Sequence, residues 1–161
     1  MTRWVPPIIW GVMILGFSGD MLGMPHTSRF IVPLLQWMFP EASPETILRL
    51  HGLVRKLGHL VEYGIFAALW FRAFRWGASH AWDWRWVTRP LAIVVPWAIV
   101  DEYRQTWTAT RSGTYSDVVL DAVGAAMALG FLTLFVRRRF SRSTGVRPSP
   151  ASAGKTVDGN H

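Results

Sequence analysis

The chain has 161 residues, half of them hydrophobic, with ten tryptophans, no cysteine and a formal net charge of +7. The lack of cysteine excludes a disulfide framework and a thiolate metal site. The charge does not describe a nucleic-acid-binding face, because the basic residues flank apolar runs and leave no soluble basic surface.

Positive mean hydropathy, with Trp and Arg near the ends of apolar runs, fits a small polytopic membrane protein. Crossing about 30 Å of hydrocarbon takes about 20 mostly apolar helical residues, and four segments approach that length. The first is Trp4–Phe17, WVPPIIWGVMILGF, extendable to Leu22. Arg3 precedes it as in a signal peptide, but no small-x-small cleavage site follows and Pro6-Pro7 opens it, so it reads as an uncleaved helix.

A long connection, Ser18–Arg55, follows. It holds FIVPLLQWMF (30–39) and SPETILRLHGLVRK (43–56), in which Ser43 suits an N-cap, Pro44 the first helical position and Glu45 the first turn. Ile47, Leu48, Leu53 and Val54 make an amphipathic pattern that predicts a helix on the membrane surface. The second apolar segment is Leu57–Phe74. The third is Val87–Tyr103, where Pro90 suits a helix start and Pro96 predicts a kink. The fourth is Asp117–Val136, whose Gly124, Ala125, Ala128 and Gly130 allow close helix packing. The tail Ser141–His161, rich in Ser, Gly, Pro and basic residues, reads as disordered. The expected fold is therefore all-α: a four-transmembrane-helix bundle over residues 1–140, with an interfacial helical segment between helices one and two, and a basic cytoplasmic tail over 141–161.

Lys and Arg counts set the orientation. One side would hold Arg3, Arg72, Arg75, Arg85, Arg89, Arg137, Arg138, Arg139, Arg142, Arg147 and Lys155, eleven in all; the other holds Arg29, Arg49, Arg55, Lys56, Arg104 and Arg111, six. The positive-inside rule places both termini and the loop Trp76–Trp86 in the cytoplasm. In that topology the polar residues converge on the outer end. Lys56, His59, Glu62 and Tyr63 enter with the second segment, Asp101, Glu102 and Gln105 leave with the third, Arg111 lies in the outer loop, and Asp117 and Asp121 re-enter with the fourth. Ser18 and Asp20 lie where the first segment emerges. Lys56, His59 and Tyr63 share one helical face, as do Asp101 and Gln105, and Asp117, Asp121 and Gly124 line another. Asp121 lies one turn below the surface and needs a partner, for which Lys56 and Arg111 are the cationic candidates.

Each residue also has a plainer account. Arg55 is best explained as a headgroup anchor and Lys56 equally well as anchor or site residue. His59 alone would read as a structural histidine, Glu62 as an ion-pair partner of Arg55, Arg104 or Arg111, and Asp117 as a helix cap. Asp101-Glu102 stands out because acids at a helix C-terminus oppose its dipole. Ser18 and His26 read as loop residues, and Trp82, Trp84 and Trp86 as interfacial aromatics.

Two stretches carry a family resemblance. RKLGHLVEYGIFAALW (55–70) resembles the Lys-x-x-His-x-x-x-Tyr segment of the VanZ-like membrane family. AIVDEYRQTWTATRSGTYSDVVLDAVGAAMALG (98–130) resembles its Asp-Glu-x-x-Gln segment, Arg-Ser-Gly turn and Asp-led, Gly-containing last helix. By that resemblance Lys56, His59, Tyr63 and Glu62 match the first motif, and Asp101, Glu102, Gln105, Arg111, Asp117 and Gly124 the second. Asp121 stands where the family often has Asn. The family takes its name from a bacterial membrane protein linked to teicoplanin resistance, which implies a place in the cell envelope without naming a reaction.

Three functions fit these residues. The first is an envelope protein whose ligand pocket, formed by Lys56, Glu62, Tyr63, Asp101, Gln105, Arg111, Asp117 and Asp121, holds an anionic lipid or lipid-linked envelope precursor. The second is an intramembrane phosphoester hydrolase or transferase, with His59 as base or nucleophile and Glu102 or Asp101 orienting it. The third is a polar cluster that only holds the helices together. The sequence names no cofactor. A divalent metal on Asp101, Glu102, Asp117 and His59 is compatible by ligand type, but the scatter assigns no metal site. Reporter fusions test the topology: sites at Trp82 and after Arg139 are expected to report cytoplasm and one near Thr108 the exterior, and an external signal at Trp82 would overturn the convergence on one side.

Overall fold

Local chemistry sets the helix boundaries. The computed structural model describes residues 2–17, 24–78, 82–107 and 115–143. A short 3-10 turn, Thr2–Trp4, leads into α1, Val5–Phe17, whose Pro6 and Pro7 sit in the first turn, where backbone N–H groups have no helical partner anyway. Helix α2 spans Met24–Met38. At the start of α3, Pro44–Arg75, the Ser43 hydroxyl accepts the Thr46 N–H at 3.3 Å with Pro44 in the first turn, as its sequence predicts. Beyond the end of α3 the chain turns at Gly77, whose φ of 77° is a left-handed conformation that favours glycine. The Asp83 carboxylate accepts the Arg85 N–H at 2.9 Å where α4, Arg85–Gln105, begins. Helix α5 runs Tyr115–Ser143.

All the described regular structure is helical. Three expectations change. The surface helix over 43–56 and the apolar helix over 57–74 are one continuous α3 of 32 residues, about 48 Å long at 1.5 Å per residue. Nothing between Arg55 and Gly58 supplies a stop, and one glycine in a helix costs only about 1 kcal/mol. The piece 30–39 falls largely within α2, as does the backbone of His26, expected in a loop. Helix α4 starts before Pro90, which therefore lies inside it. Within the described residues one helical span, Tyr115–Arg138, is long and apolar enough to cross a membrane. The described part of α1 has only 13 residues, and α4 carries Arg85, Arg89, Asp101, Glu102 and Arg104.

The helices alternate in direction. The Trp10 indole donates to the Glu62 carbonyl at 3.1 Å, and Trp4 meets Phe74, so α1 runs antiparallel to α3. Trp97 donates to the Gly11 carbonyl at 3.2 Å and Arg104 to that of Leu15 at 3.1 Å, so α1 and α4 run parallel. Helices α3 and α5 form the largest contact and run the same way. The apolar core lies between them and α4, with Tyr63, Phe66, Ala67, Val94, Ala98, Ala125 and Leu129 buried. Helix α2 packs on α3, where Ser28 Oγ lies 3.3 Å from His51 Nε2.

One end of the bundle is an arginine–aromatic layer. Arg3 stacks on Trp4, Arg72 on Trp76, Arg75 on Trp86, Arg89 on Phe74 and Arg137 on Trp82, all between 4.9 and 6.0 Å from the ring centroids. Of the three tryptophans expected at an interface, Trp84 is exposed, whereas Trp86 is buried against Phe71 and Trp82. Outward faces are apolar: Val119, Val123, Met127, Phe131 and Leu134 of α5 are all exposed.

The α3–α5 contact depends on Gly124, where a Cβ would collide with the Leu60 carbonyl oxygen. Gly130, expected in the same small-residue stripe, is exposed and meets nothing. Gly124→Ala is expected to lower stability by about 1–3 kcal/mol by overpacking, while Gly130→Ala leaves it unchanged or raises it; thermal unfolding of the detergent-purified variants measures both.

Candidate functional site

At the end of the bundle opposite the arginine–aromatic layer, α3, α4 and α5 bury a polar cluster. His59, Asp101, Glu102, Gln105, Asp117 and Asp121 are all buried. Burying this many ionisable groups is costly unless each finds a partner, so their pairing is informative.

Helix α3 meets α5 twice in one register. Arg55 donates to Asp117 Oδ2 at 3.0 Å, and one turn on His59 Nδ1 lies 3.3 Å from Asp121 Oδ1. Both pairs are separated by 62 residues in sequence, as side-by-side parallel helices require. Helix α3 meets α4 at Asp101, whose Oδ2 accepts from the Tyr63 hydroxyl and from Gln105 Nε2, each at 3.2 Å. Asp101 and Glu102 sit at the C-terminal end of α4, against its own dipole, but the antiparallel α5 brings its N-terminal turns to the same level.

Asp101 and Asp117 are thus hydrogen-bonded. Asp121 differs: it is 0% exposed, and among the described residues neither of its oxygens accepts a hydrogen bond. His59 Nδ1 also lacks a partner in hydrogen-bonding geometry, although it faces Asp121 at ion-pair distance. Ligating atoms of His59, Glu102 and Asp121 all lie within 4.8 Å of one another.

The expected residues divide accordingly. His59, Tyr63, Asp101, Glu102, Gln105, Asp117 and Asp121 come together. Glu62 is half-buried, lining an apolar groove of about 530 Å³ with Trp10, Met13, Leu57, Gly58, Val61 and Ile65. Lys56 is exposed, and Arg111, Ser18 and Asp20 lie outside the described residues. The cation that reaches α5 is Arg55, expected only to anchor the helix. Its i, i+4, i+8 relation to His59 and Tyr63 places it on their face as well as Lys56's spacing does, and that signal was available in the sequence. Asp121 faces His59 at ion-pair distance; of the two cations expected for it, Lys56 is exposed and Arg111 lies outside the described residues. The metal-compatible set also changes: Asp117 pairs with Arg55 and Asp101 accepts from Tyr63 and Gln105, and the ligating atoms that converge are those of His59, Glu102 and Asp121.

The match to known proteins covers this whole arrangement. The VanZ/LLP1 family model matches residues 6–136, from the first turn of α1 to Val136 in the core of α5. The chain belongs to the VanZ/LLP1 family. No curated protein and no solved structure is detectably similar to it. The family match agrees with the two motif stretches and takes in both faces of the buried cluster.

The Arg55–Asp117 pair is largely removed from solvent, its side chains 23% and 6% exposed, and should carry net coupling. In a double-mutant cycle of Arg55→Gln and Asp117→Asn, each single variant is expected to lose about 1–3 kcal/mol, and the double to lose less than their sum by about 1 kcal/mol or more. Equilibrium unfolding in detergent reads the coupling, and additive losses would show that the pair contributes nothing as a pair.

Proposed function

We propose that this VanZ/LLP1 protein is a multi-pass protein of the cytoplasmic membrane whose buried polar cluster serves the phosphate-bearing headgroup of an anionic lipid. The ligand is a phospholipid or a lipid-linked envelope precursor in the outer leaflet. Helices α1, α3, α4 and α5 cross the bilayer with both termini cytoplasmic, as the excess of Arg at the arginine–aromatic end supports. Only 22% of the most apolar window of α5 is buried, which suits a helix facing lipid better than the core helix of a soluble protein.

The observation that carries this reading is the concentration of buried ionisable side chains from three helices at one end of an otherwise apolar-faced bundle. Buried charge at membrane depth marks a functional site by default. A purely structural cluster would satisfy its acceptors, and the unbonded carboxylate of Asp121 argues against one. Lys56, exposed at the same mouth, is the point charge for a phosphate, and Arg111 joins it by its match to the family motif.

A second reading, hydrolysis or transfer at the lipid phosphoester, is favoured by the His59–Asp121 pair. A carboxylate at one imidazole nitrogen orients the ring and stabilises its charged form, leaving the other nitrogen to act as base. A link to glycopeptide tolerance, as with teicoplanin, would follow where the bound lipid is an envelope precursor.

Native mass spectrometry of the detergent-released protein tests both readings. One phosphate-bearing anionic lipid should be retained well above its share of the membrane, and Lys56→Ala should reduce its occupancy by about tenfold, the loss of one charge-assisted contact. Retention in proportion to bulk lipid would overturn the binding reading. His59→Gln should keep lipid and fold, and if it abolishes a measured headgroup turnover the catalytic reading stands.

A further inference from the structure

Asp121 presents two carboxylate oxygens, fully buried, to a space in which no hydrogen-bond donor is aimed at either of them among the described residues. The His59 ring has Nδ1 3.3 Å from Asp121 Oδ1, without hydrogen-bonding geometry. An ion pair alone would be expected to close that contact into a direct hydrogen bond. Glu102, from a third helix, completes a triangle of ligand atoms within 4.8 Å of one another. Three buried ligating groups from three helices therefore converge on one point.

We propose that His59, Glu102 and Asp121 form a binding site for one divalent first-row transition cation, of the Mn²⁺ or Zn²⁺ type, at the junction of α3, α4 and α5. One imidazole and two carboxylates form a mixed nitrogen–oxygen set, which suits these ions and not Ca²⁺, which takes six to eight oxygens. Three ligands bonded at about 2.0–2.2 Å lie roughly 3–3.8 Å from one another; His59 Nδ1 and Asp121 Oδ1 are already 3.3 Å apart, and edges near the 4.8 Å limit close by up to about 1 Å. Three protein ligands leave coordination positions open to water or to an exogenous oxygen. The site stands whether or not the protein binds a lipid headgroup.

Mn²⁺ alone is a sufficient probe. The full chain, purified in detergent and freed of metal by a chelator, is titrated with MnCl₂ while electron paramagnetic resonance follows the free ion. One ion per chain is expected, and pulsed measurements should show ¹⁴N coupling from a histidine. Asp121→Asn and Glu102→Gln, nearly isosteric, should each weaken binding at least about tenfold, and His59→Gln should remove the ¹⁴N coupling. Zn²⁺ should displace the bound Mn²⁺, and Ca²⁺ should not. The wild-type readings decide the matter even where a variant fails to fold. Absence of stoichiometric binding by the folded wild-type chain, or bound Mn²⁺ without nitrogen coupling, would overturn the site. So would unchanged affinity in a folded Asp121→Asn variant, because the ion would then sit elsewhere.

Discussion

The arrangement depends on one close contact, the passage of the Leu60 carbonyl of α3 over Gly124 of α5. Where two helices approach this closely, backbone meets backbone and neither side chains nor lipid intervene. Running side by side in the same direction, the helices keep a constant sequence offset over more than a turn. That offset sets Arg55 beside Asp117 and His59 beside Asp121 together. A larger residue at 124 would separate the helices at the level of the cluster and loosen both pairs at once.

The bundle divides its polar chemistry between two ends, and different physics governs each. At the arginine–aromatic end the cations lie over tryptophan and phenylalanine rings, where the apolar stem and charged head of arginine can both be accommodated. At the other end the charges are acidic and buried: Arg55 pairs with Asp117, Tyr63 and Gln105 donate to Asp101, and Asp121 faces His59 at ion-pair distance. Between the ends lie Phe66, Ala67, Val94 and Leu129, which contribute packing and no polar groups.

Much of the helical content was legible in the residues. Ser43 with Pro44 announces the start of α3, and the apolar runs locate α1, α4 and α5, because caps and hydropathy are local properties. The length of α3 was less legible: an amphipathic stretch and an apolar stretch read as two elements, yet a helix has no need to end where its hydropathy pattern changes. Which small residues mattered was equally hidden. Gly124 and Gly130 look alike in sequence, and only the angle of α3 across α5 makes one essential and leaves the other exposed.

By itself the sequence determined the all-helical class, the family and the chemical types gathered at one end of the chain's hairpins, because periodicity, caps and motif spacing are written in neighbouring residues. The tertiary structure alone decided the pairings. Lys56 and Arg55 both satisfy helical spacing to His59, but the rotation of α3 against α5 buries Arg55 on Asp117 and leaves Lys56 exposed. Asp101, Asp117 and Asp121 are equivalent carboxylates in sequence, and each acquires its role from what the facing helix offers: hydroxyl and amide donors, a guanidinium, or an imidazole that does not close its hydrogen bond. Pair distances between helices depend on packing angle and register, which no local pattern encodes.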